Sequence, residues 1–136
     1  FRVGKRAKSS YVISNDDTRN LLLRSNVVHY NGIVHKRTVE LDNMNYKLNI
    51  LDQVNSDKDT SCVYYHIHPK CIIKKLSKNS LEISRENGKI RLNINEDFEI
   101  IETPFAEEFG KKQNQKTIFI RKSSSCKSIK TILTFE

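Results

Sequence analysis

Leu81-Glu82-Ile83-Ser84-Arg85-Glu86-Asn87-Gly88-Lys89-Ile90-Arg91-Leu92-Asn93-Ile94 is the stretch that decides the fold. Leu81 and Ile83 precede the turn residues Glu86-Asn87-Gly88, and Ile90, Leu92 and Ile94 follow, with apolar and polar side chains alternating on both sides. A period of two puts alternate side chains on one face of an extended chain, whereas a helix face recurs every three or four residues. Asn-Gly tolerates the positive φ that a tight turn demands, so an antiparallel hairpin is expected here.

The same rhythm extends in both directions. Ile33, His35, Arg37, Val39 and Leu41 alternate with Val34, Lys36, Thr38 and Glu40, and Asp42-Asn43-Met44-Asn45 supplies turn residues. Leu48, Ile50 and Val54 then share a face with Tyr46 and Asp52, opposite Lys47, Asn49, Leu51 and Gln53. A second hairpin follows from that pattern. Further strands are expected near residues 10–14, 25–30, 60–68, 70–76, 97–103, 116–122 and 127–135. Ten or so short strands with no helix between them predict an all-β fold, an antiparallel β-sandwich or stacked-sheet domain spanning residues 1–136. Helix should occupy less than about 10 per cent of the chain.

Composition narrows the class. A chain of 136 residues suits one domain and can bury roughly two thirds of its unfolded surface. Its opening, Phe1-Arg2-Val3 without an initiator Met, reads as a piece of a longer protein. The longest apolar run, Leu21-Leu22-Leu23, stops at Arg24, far short of the roughly 18 to 20 residues a membrane helix needs. Cys62, Cys71 and Cys126 are odd in number and lack metal-ligand spacing, so they are expected as small core residues. The balance of 24 Lys+Arg against 16 Asp+Glu gives +8, which favours a polyanionic partner, although a bias toward Lys, Asn and Ile could produce the same excess. The bases are unevenly placed. From Phe109 to Phe135 they are Lys111, Lys112, Lys116, Arg121, Lys122, Lys127 and Lys130 with no acid among them, and strand alternation should scatter them over both faces.

Familiar catalytic signatures are absent: the chain has no Gly-rich phosphate loop, no Gly-x-Ser-x-Gly and no His-Glu-x-x-His. What remains is Tyr64, His66 and His68, which share one face if Cys62 to Pro69 is a strand. Such a His-x-His pair can hold a divalent metal or move protons near neutral pH. A third ligand is not adjacent; Asp52 and Asp57 are the alternatives, and a hydrogen-bonded structural role competes. Tyr30, Tyr46, Tyr64 and Tyr65 could each serve as acid or base, or simply pack across strands. Aromatics are not interleaved with bases along any one strand, which argues against a nucleic-acid stacking platform.

Several short motifs occur in a telling order. Phe1-Arg2-Val3-Gly4-Lys5-Arg6-Ala7 is followed by His29-Tyr30-Asn31-Gly32, His35-Lys36-Arg37, Leu48-Asn49-Ile50-Leu51-Asp52, His66-Ile67-His68-Pro69 and Phe109-Gly110. This succession resembles the heparinase II/III-like polysaccharide lyase family, and the resemblance covers essentially the whole chain. It implies the C-terminal sheet domain of an enzyme that begins with an N-terminal helical toroid. Family members cleave acidic polysaccharides such as heparan sulfate or alginate by β-elimination at a uronic acid, using Tyr and His groups. Those catalytic positions lie in the toroid or upstream of the Phe-Arg-x-Gly-x-Arg motif, so none carries over onto this sequence, and the chain alone is expected to be inactive.

The resemblance further implies an acidic polysaccharide and the toroid as partners, with no membrane and no nucleic acid, in a parent that is bacterial and periplasmic or secreted. No cofactor is expected in this chain, although a divalent metal is possible in the parent. Substrate-binding candidates are Arg2, Lys5, Arg6, His35 and Arg37; Tyr64, His66 and His68 form a possible polar site. The alternative is a free-standing carbohydrate-binding module that grips anionic glycans through its C-terminal bases.

Overall fold

The computed structural model describes residues 7–17, 20–55, 61–86, 88–108, 110–123 and 126–136. Among them lie β1 (Lys8–Asp17), β2 (Asn20–Val28), β3 (Val34–Asp42), β4 (Lys47–Asn55), β5 (Cys62–Ile67), β6 (Ile72–Lys75), β7 (Ser80–Arg85), β8 (Gly88–Ile94), β9 (Phe98–Glu108), β10 (Lys111–Arg121) and β11 (Ile129–Phe135), and no helix. The all-β antiparallel expectation therefore holds. One sheet has eight strands in the order β1-β2-β3-β4-β11-β8-β7-β6, and a second has three in the order β5-β10-β9.

Cross-strand register carries one face through the whole larger sheet. Ile13 faces Leu23, Leu23 faces Val39, Val39 faces Ile50, Ile50 faces Thr131 and Thr131 faces Ile94. This inner face meets the smaller sheet only over part of its width. There Leu81, Ile118 and Ile120 are fully buried, packed with Val63, Ile83, Leu92, Ile94, Phe98 and Ile129. Each such side chain contributes roughly 1.5–3 kcal/mol relative to an exposed one.

Local departures from the expected boundaries have physical causes. In the 81–94 hairpin Arg85 pairs with Gly88, so Gly88 is already a strand residue and not part of the turn that Asn-Gly suggests. Glu86 carries the positive φ (51°), and Asn87 lies outside the described residues. The same register places Glu82 opposite Arg91, and Glu82 lies within 3.2 Å of Lys89 on the outer face. Strand β2 begins at Asn20 instead of near residue 25 because Leu21 and Leu23 supply the inner face. It stops before a tight loop in which Gly32, at φ 83°, donates its N–H to the His29 carbonyl at 3.0 Å. Strand β9 runs on through Pro104 to Glu108; as an edge strand it has no second neighbour requiring the missing N–H. The expected Asp42–Asn45 turn forms, with the Asn45 backbone N–H bonded to Asp42 Oδ1 at 3.0 Å and its side-chain amide to Oδ2 at 2.7 Å. Those bonds, from the Asn45 side chain first, hold the Asp42 carboxyl below its ordinary range. The three cysteines are half-buried and not in the core proper: Cys71 packs against it, and Cys126 Sγ donates to the Ser128 carbonyl at 2.8 Å. Of the C-terminal bases, Lys111, Lys112, Lys116 and Arg121 lie on β10 of the smaller sheet and Lys130 on β11 of the larger.

Candidate functional site

Register places Arg37 opposite Asp52 and His35 opposite Val54, so His35, Arg37 and Asp52 all project from the inner face. Asp52 is 2 % exposed, a burial that an isolated carboxylate could not sustain. Arg37 offers the compensating fork: its Nε donates to Asp52 Oδ1 at 2.7 Å and one Nη to Oδ2 at 3.0 Å. His35 Nε2 meets the same Oδ1 at 2.7 Å. The hydrogen bond to Asp52 raises the Arg37 pKa above its ordinary value despite partial burial. Both His35 and Arg37, candidates for substrate binding by sequence, thus spend their nearer polar atoms on one carboxylate while remaining partly solvent-accessible.

His35 and Asp52 of this clamp line a pocket of about 340 Å³ whose other wall is the start of β5 and the segment after β10, with His29, Cys62 and Lys122 around it. Beside it Tyr65 points inward from β5 and donates its hydroxyl to Thr131 Oγ1 at 3.1 Å. Burial pushes the Tyr65 phenol pKa up, against the Thr131 bond, and the Asp52 charge adds to the rise. A neutral phenol, a buried carboxylate already paired, a guanidinium and an imidazole form an arrangement suited to holding strands in place and presenting the Arg37 charge at a rim. Arg2, Lys5 and Arg6 lie outside the described residues.

The second candidate group divides. Tyr64 and His66 share the outward face of β5, their rings 6.4 Å apart and nearly parallel, with Tyr64 against Phe119 at 5.1 Å. His68 falls beyond the end of β5, where Ile67 is the last strand residue; its carbonyl accepts from Cys71 N–H and its ring sits edge-on to Phe105 at 5.7 Å. His66 Nδ1 lies 2.9 Å from Thr117 Oγ1 and 3.2 Å from Gln115 Nε2, and Thr117 Oγ1 is 2.6 Å from Thr103 Oγ1. With Gln115 donating its amide N–H, Nδ1 is the accepting nitrogen of that contact. Sequence reasoning missed Gln115, Thr117 and Thr103. Gln115 and Thr117 at alternate positions of a strand were the signal available, but only the register of β10 with β5 and β9 reveals their partners. Among the described residues no three His, Cys, Asp or Glu side chains converge as a metal site.

Fold and site together define a two-sheet antiparallel β-sandwich domain with a carboxylate clamp where the cover of the smaller sheet ends. The sequence pattern of the heparinase II/III-like C-terminal family matches residues 1–132, and the chain belongs to that family. Solved structures share the fold: heparan sulfate lyase HepC from Pedobacter heparinus at TM-score 0.73, with 13% identity over 94% of this chain and 22% of that one. A heparinase III gene product gives 0.71 with 14% identity over 94% and 21%, and a further heparinase III gives 0.72 with 13% over 93% and 21%. The chain therefore spans about a fifth of the length of these proteins. No curated protein shows significant sequence similarity to it.

Proposed function

We propose that this chain is the C-terminal domain of a polysaccharide lyase that cleaves a uronate-containing acidic polysaccharide by β-elimination, and that the domain supports the substrate cleft while the chemistry is performed elsewhere in the parent. The observation that carries the reading is the family match over residues 1–132, joined by a fold likeness to heparan sulfate lyase. The state of the polar groups supports it. β-Elimination needs a base, an acid and a group that neutralises the uronate carboxylate, all converging on one sugar. Asp52, the one buried carboxylate among the described residues, is already paired with Arg37 and in contact with His35. In this reading Arg2, Lys5, Arg6, His35 and Arg37 lend positive charge to a neighbouring cleft, and any divalent metal of the parent is held outside this chain.

The test is ultraviolet absorbance of the unsaturated uronate product. The full-length protein should form product from at least one uronate polymer, and the 136-residue chain should match buffer. Steady turnover by the chain alone, lost on His66→Ala, would overturn the division of labour. Metal analysis of a chelator-free preparation should likewise find no stoichiometric zinc in the chain.

A second reading, a module that grips anionic glycan, has one specific observation in its favour. On the outward face of β2 and β3, Arg24 and Lys36 have no carboxylate partner among the described residues, and Asn26 between them has a buried Oδ1 without a hydrogen bond. Retention of the chain on heparin that survives physiological salt and falls with Arg24→Ala and Lys36→Ala would favour it; purely electrostatic retention should collapse over that range.

A further inference from the structure

The smaller sheet is too narrow for the larger one. Strand β9 lies toward β6, where Lys75 Nζ donates to the Phe98 carbonyl at 3.3 Å and covers the Phe98 ring. At the other side β5 lies over β11 and β4, through the Tyr65–Thr131 bond and the pocket shared with His35 and Asp52. Beyond β5 nothing among the described residues covers the inner face of β1, β2 and β3. Ile13 is 57 % exposed and Leu21 39 %, and Leu23, Val39 and Leu41 are only half-buried, although all continue the face that buries Leu92 and Ile94.

The four sheet edges differ in how they are guarded. Strand β6 is four residues long and carries Lys74 and Lys75; β9 carries Pro104 and a series of glutamates; β1 begins with Lys8. Short strands, lysines, prolines and charges are the devices that keep an edge from pairing. Strand β5, Cys-Val-Tyr-Tyr-His-Ile, has none of them, and from Val63 to Ile67 it is hydrogen-bonded to another strand only on the β10 side.

We infer that the open edge of β5 and the uncovered inner face of β1–β3 form one strand-addition site, filled by extended strands from the remaining polypeptide of the same full-length protein. The inference rests on the reading of this chain as one domain of a longer protein. Its occupant is chosen because the structural neighbours carry roughly four fifths of their length outside the matched region. The gap left over three strands, at about 4.8 Å spacing, admits up to three more. The added strand pairs main chain with β5 and alternates apolar residues downward onto Leu23, Val39 and Ile50. Opposite Arg37, whose second Nη makes no bond to Asp52, it presents a hydrogen-bond acceptor. The Asp52 clamp then becomes fully enclosed, which accounts for a buried ion pair at what is otherwise a rim.

Residue-resolved hydrogen exchange on the full-length protein tests this. Amides between Val63 and Ile67 that point away from β10 should exchange at least about tenfold more slowly than an open edge and as slowly as those pointing toward β10. Alternate fast exchange along β5 would overturn the proposal, and so would protection that rises with protein concentration, which would make the occupant a second copy. A second measurement does not depend on exchange: Val39→Lys should lower the unfolding temperature of the full-length protein while Thr38→Lys, on the outward face, leaves it unchanged. Equal effects would contradict the covered face. The product assay on the same preparation separates this inference from the lyase reading, since turnover with an open β5 edge would sink only the strand addition.

Discussion

In β7, β8 and β11 the inward side chains Leu81, Leu92, Ile94 and Ile129 are 0 to 3 % exposed, whereas Ile13 and Leu21, on the same face of the same sheet, are 57 % and 39 % exposed. Both halves are built from the same alternation and the same antiparallel ladder. What differs is the second layer, which Ile118 and Ile120 of β10 supply to one half only. Alternation therefore declares which side chains want to be inside, and a partner sheet decides whether they are.

The sharpest contrast should come from matched truncations. Leu81→Ala, in the closed half, should destabilise the chain by about 2–5 kcal/mol, because it removes transfer energy and leaves a cavity in a packed core. Leu23→Ala, in the open half, should cost less than about 1 kcal/mol, since water already reaches that site. Urea unfolding midpoints at constant slope measure both. Similar losses at the two sites would break the comparison.

Next in size is the clamp on the boundary between the halves. Asp52→Asn should cost about 1.5–3 kcal/mol, the scale of hydrogen bonds to charged groups, because Arg37 and His35 lose their shared acceptor. Arg37→Ala should cost a comparable amount by leaving Asp52 buried with only His35. A double substitution costing much less than the sum, measured by the same unfolding, would confirm that the groups act as one unit.

The fold was legible in the sequence because period-two alternation and turn residues are local. Leu81 to Ile94, and Ile33 to Val54, yield their hairpins almost to the residue. Boundaries slipped where pairing with Arg85 drew Gly88 into the strand, or where an edge position made a proline harmless, as at Pro104. The site was harder. His35, Arg37 and Asp52 were each visible, and alternation even put all three on inward faces, but 15 residues separate Arg37 from Asp52 and only the β3–β4 register makes them partners. Gln115 and Thr117 alternate along one strand, yet a threonine in a strand looks the same whether it packs or organises His66 and Thr103. His68 looked like the partner of His66 until the strand ended one residue before it.

A smaller effect should appear with pH. Burial raises the Tyr65 pKa, so the folded state resists the phenolate that the unfolded chain forms near pH 10. For a raised pKa the contribution is fully present below the unfolded value and is lost as pH rises through the folded one. Stability should therefore decline above about pH 10, and Tyr65→Phe, although weakened by loss of the bond to Thr131, should decline less steeply. Parallel slopes for the two proteins would show that Tyr65 is not the group responsible.

Hydrogen exchange of the isolated 136-residue chain, read strand by strand, tests most directly whether the covering layer sets local stability. If coverage and not sequence sets local stability, amides of β7, β8, β10 and β11 should share the slowest exchange, and those of β1 and β2 should exchange at least about tenfold faster through local opening. Uniform protection across all eight strands of the larger sheet would mean that its open half is stable without a covering layer, and would contradict the account.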